Sequence, residues 1–145
     1  MEIPQQFLEL SARIGSNPLL VQGPGGNTSV KADGRMWVKA SGTELADAVS
    51  SDIFVGVSVE RAIAELEGAG DGSCRSALLD SNCTLRPSIE TTFHALLPQR
   101  YVFHFHSVGA IAHARPHPHA GRTHFLWEGL HWFWFLFVYI DFILL

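Results

Sequence analysis

Val30-Lys31-Ala32-Asp33-Gly34-Arg35-Met36-Trp37-Val38 carries the clearest structural signal in the chain. Val30 and Ala32 stand on one side of Asp33-Gly34, Met36 and Val38 on the other, each pair spaced by two. Alternation on both arms around an Asp-Gly pair is the strongest short-range signature of a β-hairpin. Gly23-Pro24-Gly25-Gly26-Asn27, a stretch no helix tolerates, leads into the first arm, and Ser41-Gly42-Thr43 breaks the second.

Working outward, Pro4 to Ile14 predicts a helix. Pro4 suits its first turn, Phe7, Leu10 and Ile14 recur at helical spacing, and Gly15-Ser16-Asn17 stops it. Ile53 to Val57 predicts a strand, and Val59 to Leu66 a helix with Ser58 as N-cap. Ser88, after Pro87, is expected to cap a further helix whose apolar face is Ile89, Phe93, Leu96 and Leu97, and Pro98 ends it. Tyr101 to Ser107 alternates like a strand, and Val108 to Ala114 starts another helix. This mixture predicts an α/β layered domain with a largely antiparallel sheet.

A length of 145 residues suits one domain, and 47% hydrophobic with 17% charged residues excludes a disordered chain. Ten basic against fourteen acidic residues, net −4, argue against nucleic acid or an anionic membrane as partner. Cys74 and Cys83 build no disulfide framework and lack zinc-ribbon spacing. The start shows no basic region followed by a long apolar one, so the expected location is cytoplasmic.

The averages hide an abrupt shift near Arg115. Nine of the sixteen aromatics fall between Phe125 and Phe142. Residues 115–145 are therefore set apart from 1–114 as an atypical tail. A membrane span is one reading, but Glu128, His131 and Asp141 interrupt the apolar run. A buried strand pair is another. The third, and the preferred one, is sequence not selected for this fold, such as a shifted reading frame.

His104-Phe105-His106 is the most informative chemical triplet. Residues two apart on a strand share a face, so both imidazoles could reach one ion. A partly exposed pair with no ion is the commoner meaning of such a spacing. Glu90, near the start of the Ser88 helix, suits either helix-terminus electrostatics or general acid/base work beside a metal. His94, one turn later, could be a ligand, though a hydrogen-bonded structural histidine is the commoner case. Gly25-Gly26-Asn27-Thr28-Ser29 and Ser41-Gly42-Thr43 could cradle a phosphate on backbone N–H groups, and Ser88 could add a hydroxyl; each alone is more often a turn. The remaining histidines, including His117, His119, His124 and His131, are irregularly spaced and support no mechanism.

Taken together, Gly25 to Ser29, Val38 to Gly42, Arg86 to Glu90 with His94, and Val102 to Ser107 resemble the class II aldolase/adducin family of sugar-phosphate lyases over about residues 5–114. The resemblance implies a three-layer α/β/α sandwich around a mainly antiparallel sheet, here truncated, in a homo-oligomer that is tetrameric in intact relatives. It implies retro-aldol cleavage of a phosphorylated ketose with a divalent metal, most often zinc. His104 and His106 match two metal ligands, and Glu90 matches the catalytic acid/base. Gly26, Asn27, Ser41, Gly42 and Ser88 match the holders of the substrate phosphate. Ile89 stands where some members have a second serine. No residue matches the third histidine ligand, so activity of this chain is expected to be impaired. A non-catalytic adducin-like interaction module is the alternative, as is an epimerase, dehydratase or decarboxylase on the same scaffold.

Overall fold

A computed structural model describes residues 2–68, 70–114 and 137–138. The hairpin forms as predicted, β1 (Asn27–Ala32) pairing with β2 (Arg35–Lys39) so that Ala32 faces Arg35. Asp33 and Gly34 have φ of +51° and +71°, the left-handed pair that lets a two-residue turn follow the strand twist. β3 (Phe54–Ser58) pairs with β2, and β4 (Tyr101–His104) pairs with β1. With β5 (Phe137–Val138) the sheet order is β3-β2-β1-β4-β5, every pair antiparallel.

Alternation along these strands sends side chains to two different layers. On one face Val30 and Phe103 pack on Phe7 of α1 (Gln5–Gly15), with Trp37, Phe54 and Tyr101 around them. Also on that side, Ser11 of α1 and Thr28 of β1 share a buried hydroxyl contact of 2.9 Å. On the other face Met36, Val38, Val55 and Val57 pack against Ala62 of α2 (Val59–Ala64) and Ala95 of α3 (Thr91–Leu96). The fold is therefore α/β, with helices on both faces of an antiparallel sheet, as expected. Ser58 caps α2 by accepting the Arg61 N–H, and α2 runs on as a tighter turn over Glu65–Glu67.

α1 ends against the turn at Leu45–Asp47, and Gly15 makes that approach possible. A Cβ there would collide with the backbone of Leu45 and Ala46, atoms that cannot swing aside. Gly15→Ala should cost about 1–3 kcal/mol, the usual penalty for overpacking. A lowered urea midpoint is the expected result, and an unchanged one would mean that α1 is free to slide.

Two elements differ from the sequence expectation. The helix expected from Ser88 begins at Thr91 and buries Thr91, His94 and Ala95. Ile89 is 89% exposed and Leu96 55% exposed, so neither belongs to an inward face. The physical reason lies opposite: β1 presents polar Asn27 and Ser29 to this helix, so the helix answers with polar residues. The strand expected to reach Ser107 ends at His104, because the His106 N–H bonds the Leu20 carbonyl at 3.0 Å instead of a sheet neighbour. α4 (Val108–Ala114) follows. Apart from Phe137 and Val138, the aromatic tail and its four later histidines lie outside the described residues.

Candidate functional site

The start of β1 and the ends of β2 and β4 lie at one end of the sheet, because each pair is antiparallel. Asn27 is paired with His104 across the ladder, which puts both side chains on the α3 face. From α3's side the Glu90 carboxylate meets them: Oε1 is 2.9 Å from His104 Nδ1. Glu90 Oε2 is 3.8 Å from His94 Nε2, and the His94 Nδ1 is 2.8 Å from Ser29 Oγ on β1. The His104 and His106 rings have centroids 5.1 Å apart at 64°. His106 lies beyond the last ladder pair, its N–H held by the Leu20 carbonyl, yet the alternation continues: Phe105 joins Phe103 in the cluster on the α1 side and His106 joins His104 on the other, the shared face that the spacing suggested.

The candidate residues at 26–27, 41–42, 88, 90, 104 and 106 lie at this end. Ser41 is brought beside 86–88 by an Ala40–Pro87 bridge and by its N–H bonding the Arg86 carbonyl at 2.9 Å. Gly42 follows it in the same turn. The Ser88 hydroxyl accepts from Asn27 Nδ2 at 2.6 Å and from the Glu90 N–H at 3.2 Å. Gly26, with φ +68°, lies so close to Val21 that a Cβ would strike its methyl group. Only glycine gives both that torsion and that clearance.

The electrostatics follow from burial and from these partners. Burial raises the Glu90 carboxyl, but the His104 hydrogen bond and charge, helped by His94 and Asn27, outweigh it and leave its pKa below the ordinary value. Burial drives the His94 imidazole down from 6.5 to about 3, opposed by Glu90 and reinforced by His104 and Lys31. His94 is therefore neutral, with Nδ1 at Ser29 and Nε2 toward Glu90, an arrangement compatible with either role considered for it, structural histidine or ligand.

That depression has a sign for stability. Between pH 6.5 and pH 3 the unfolded chain binds a proton at His94 that the folded chain refuses. Stability is full above the unfolded value and falls with pH through that window, by at most about 1.4 kcal/mol per pH unit from this group. Urea midpoints should drop between about pH 7 and about pH 5, less so in His94→Gln. An equal drop in both proteins would assign the slope to other groups.

Sequence reasoning gave Lys39 no role beyond its place in a motif. It is 3% exposed, and its ammonium donates to the carbonyls of Pro24 (3.2 Å), Ala40 (3.3 Å) and Thr43 (2.7 Å). It thereby ties the Gly23–Asn27 loop to the Ser41–Thr43 turn. Burial lowers its pKa and the Glu90 carboxylate raises it. The only signal available beforehand was a lysine closing an apolar strand between two glycine-bearing turns.

Glu90, His94 and His104 each offer a ligand atom, all within 4.8 Å of one another. One carboxylate and two imidazoles form a donor set suited to a divalent transition ion such as zinc. These three residues fit such an ion; His106, expected from the sequence to be a ligand, lies beside His104 but is not one of this group.

A family model for the class II aldolase and adducin N-terminal domain matches residues 5–131. A Bacillus subtilis (strain 168) protein described as the uncharacterized oxidoreductase YuxG is 35% identical over 124 residues, covering 72% of this chain and 18% of that protein. The N-terminal class II aldolase domain of a conserved protein from Thermoplasma acidophilum has been solved. It superposes with a TM-score of 0.63 at 26% identity, over 80% of this chain and 62% of that one. This chain thus spans less than a fifth of the first relative and under two-thirds of the second.

Proposed function

Since the chain belongs to the class II aldolase and adducin N-terminal domain family, we propose that it serves a metal-dependent lyase that cleaves a phosphorylated ketose by retro-aldol chemistry. The observation that carries this reading is the 2.9 Å contact of Glu90 with His104 at the sheet end that also holds Gly26, Asn27, Ser41, Gly42 and Ser88. A scaffold with no chemistry to perform has no need of a half-buried carboxylate facing imidazoles. In this reading His104 and His106 hold the ion, with zinc the best match to imidazole ligands. The ion would supply Lewis acidity toward the ketose oxygens and stabilise negative charge as the carbon–carbon bond breaks.

Glu90 moves protons at the reacting carbon and hydroxyl. Its lowered pKa keeps the base form populated at neutral pH. The loops at 26–27 and 41–42, with Ser88, hold the phosphate away from the breaking bond, and this anchoring removes part of the entropic barrier. The hydroxyl bookkeeping supports the assignment. Ser88 Oγ already accepts two N–H donors, so its own proton is directed to an acceptor such as a phosphate oxygen. Assembly as a homo-oligomer and cytoplasmic residence complete the proposal. Free thiols at Cys74 and Cys83 are in keeping with the latter, and among the described residues no helix is long and apolar enough to cross a membrane.

The test is metal content and turnover on the same preparation. Bound zinc, with slow release of an aldehyde from a ketose 1-phosphate as suits a chain in which no third histidine ligand is matched, is the expected result. A chain that binds zinc but leaves every ketose phosphate intact would favour a sister reaction on this scaffold. A chain that binds none would favour the non-catalytic adducin-like module.

A further inference from the structure

Resting on the phosphate subsite just proposed, we infer that Arg86 is a further substrate-binding residue, gripping the phosphate dianion and setting a preference for phosphorylated over unphosphorylated ketoses. Its placement follows from the main chain. The Ser41 N–H bonds the Arg86 carbonyl at 2.9 Å, and the Ala40–Pro87 bridge holds the two segments side by side. The Arg86 side chain then turns back over the same neighbour, Nη2 lying 3.4 Å from Ser41 Oγ. A guanidinium is thereby held at the rim of the turn that carries Ser41 and Gly42, two residues before Ser88.

A dianion needs positive charge as well as N–H and O–H donors, and only certain cations here can touch it. Lys39 lies beneath the loops, but its three N–H bonds go to the carbonyls of Pro24, Ala40 and Thr43. It contributes field and loop shape, not a contact. Ile89, 89% exposed beside Ser88, offers no side-chain donor and no charge. Arg86 is exposed, spends one N–H on Ser41, and has no carboxylate within ion-pair distance among the described residues. Its remaining donors are arranged for two parallel bonds to a phosphate. By donating to Ser41 Oγ it also leaves that hydroxyl's proton to point at an acceptor, as Asn27 and the Glu90 N–H do for Ser88.

The experiment compares inorganic phosphate binding to the parent chain, Arg86→Gln, Arg86→Lys and Ser88→Ala, followed by NMR titration. Turnover of a ketose with and without its phosphate is measured alongside. Arg86→Gln should weaken phosphate binding about 10- to 100-fold, the usual weight of charged hydrogen bonds. Arg86→Lys should recover part of the loss, since a point charge replaces the fork. In turnover the loss should fall on KM for the phosphorylated ketose, with kcat and the unphosphorylated ketose little changed. A purely structural role for Arg86 would not divide the two substrates in this way. If Ser88→Ala weakens phosphate and Arg86→Gln does not, the Arg86 inference is overturned and the subsite stands. If the parent binds no phosphate, or Ser88→Ala leaves binding unchanged, the subsite fails and the inference falls with it.

Discussion

Glu90→Gln should lower ketose-phosphate cleavage by about 10²- to 10⁴-fold, the range over which general acid–base groups act. The substitution keeps volume and one oxygen acceptor toward His104, so the fold and the 2.9 Å contact have a close substitute. What disappears is the ability to take up and return a proton. Zinc should remain bound, and KM should change much less than kcat, because the lost interaction belongs to the transition state. The same variant separates two roles for this carboxylate. The carboxylate offers an oxygen within 4.8 Å of a nitrogen of His94 and of His104, close enough to share one ion with them, so a Glu90 that coordinated the ion directly would lose zinc along with turnover. A variant that keeps both zinc and full turnover would remove Glu90 from the chemistry altogether.

His104→Ala should weaken zinc binding by more than about 100-fold, since even outer-shell partners of such ligands are worth about 10- to 100-fold. His104 is 3% exposed and lies between Glu90, His106 and the ring of Phe93, whose centroid is 6.5 Å away. Removing the imidazole also takes away the hydrogen bond and charge that hold the Glu90 carboxyl low, so burial should then raise its pKa. His104→Gln refills the space, and it should restore the urea midpoint more fully than it restores the metal. Zinc retained at parent affinity in both variants would place the ion elsewhere.

Much of the fold was legible because its signals are local. The Asp33-Gly34 turn and the Ser58 cap each depend on residues within a few positions of one another, and both form as read. The helix expected from Ser88 forms, but starts at Thr91 and buries another face, for the opposite reason. Apolar periodicity speaks for the helix alone, whereas the face that is buried is chosen by Asn27 and Ser29 across the interface. The pairing of His104 with His106 was legible from their spacing of two, and only the Leu20 carbonyl that takes the His106 N–H beyond the ladder came from another segment.

By itself the sequence determined the hairpin, the cap, the glycine turns and the chemical types available at the site, because torsional and short-range forces act within a few residues. Tertiary structure alone decided which of those groups meet. Ser29 reaches His94 across 65 positions, Asn27 reaches Ser88 across 61, and Arg86 reaches Ser41 across 45. It also buried Lys39 beneath two loops and exposed Ile89. Such contacts follow from antiparallel pairing, which returns distant segments to one end of the sheet, and from burial, which makes a polar side chain find a partner there.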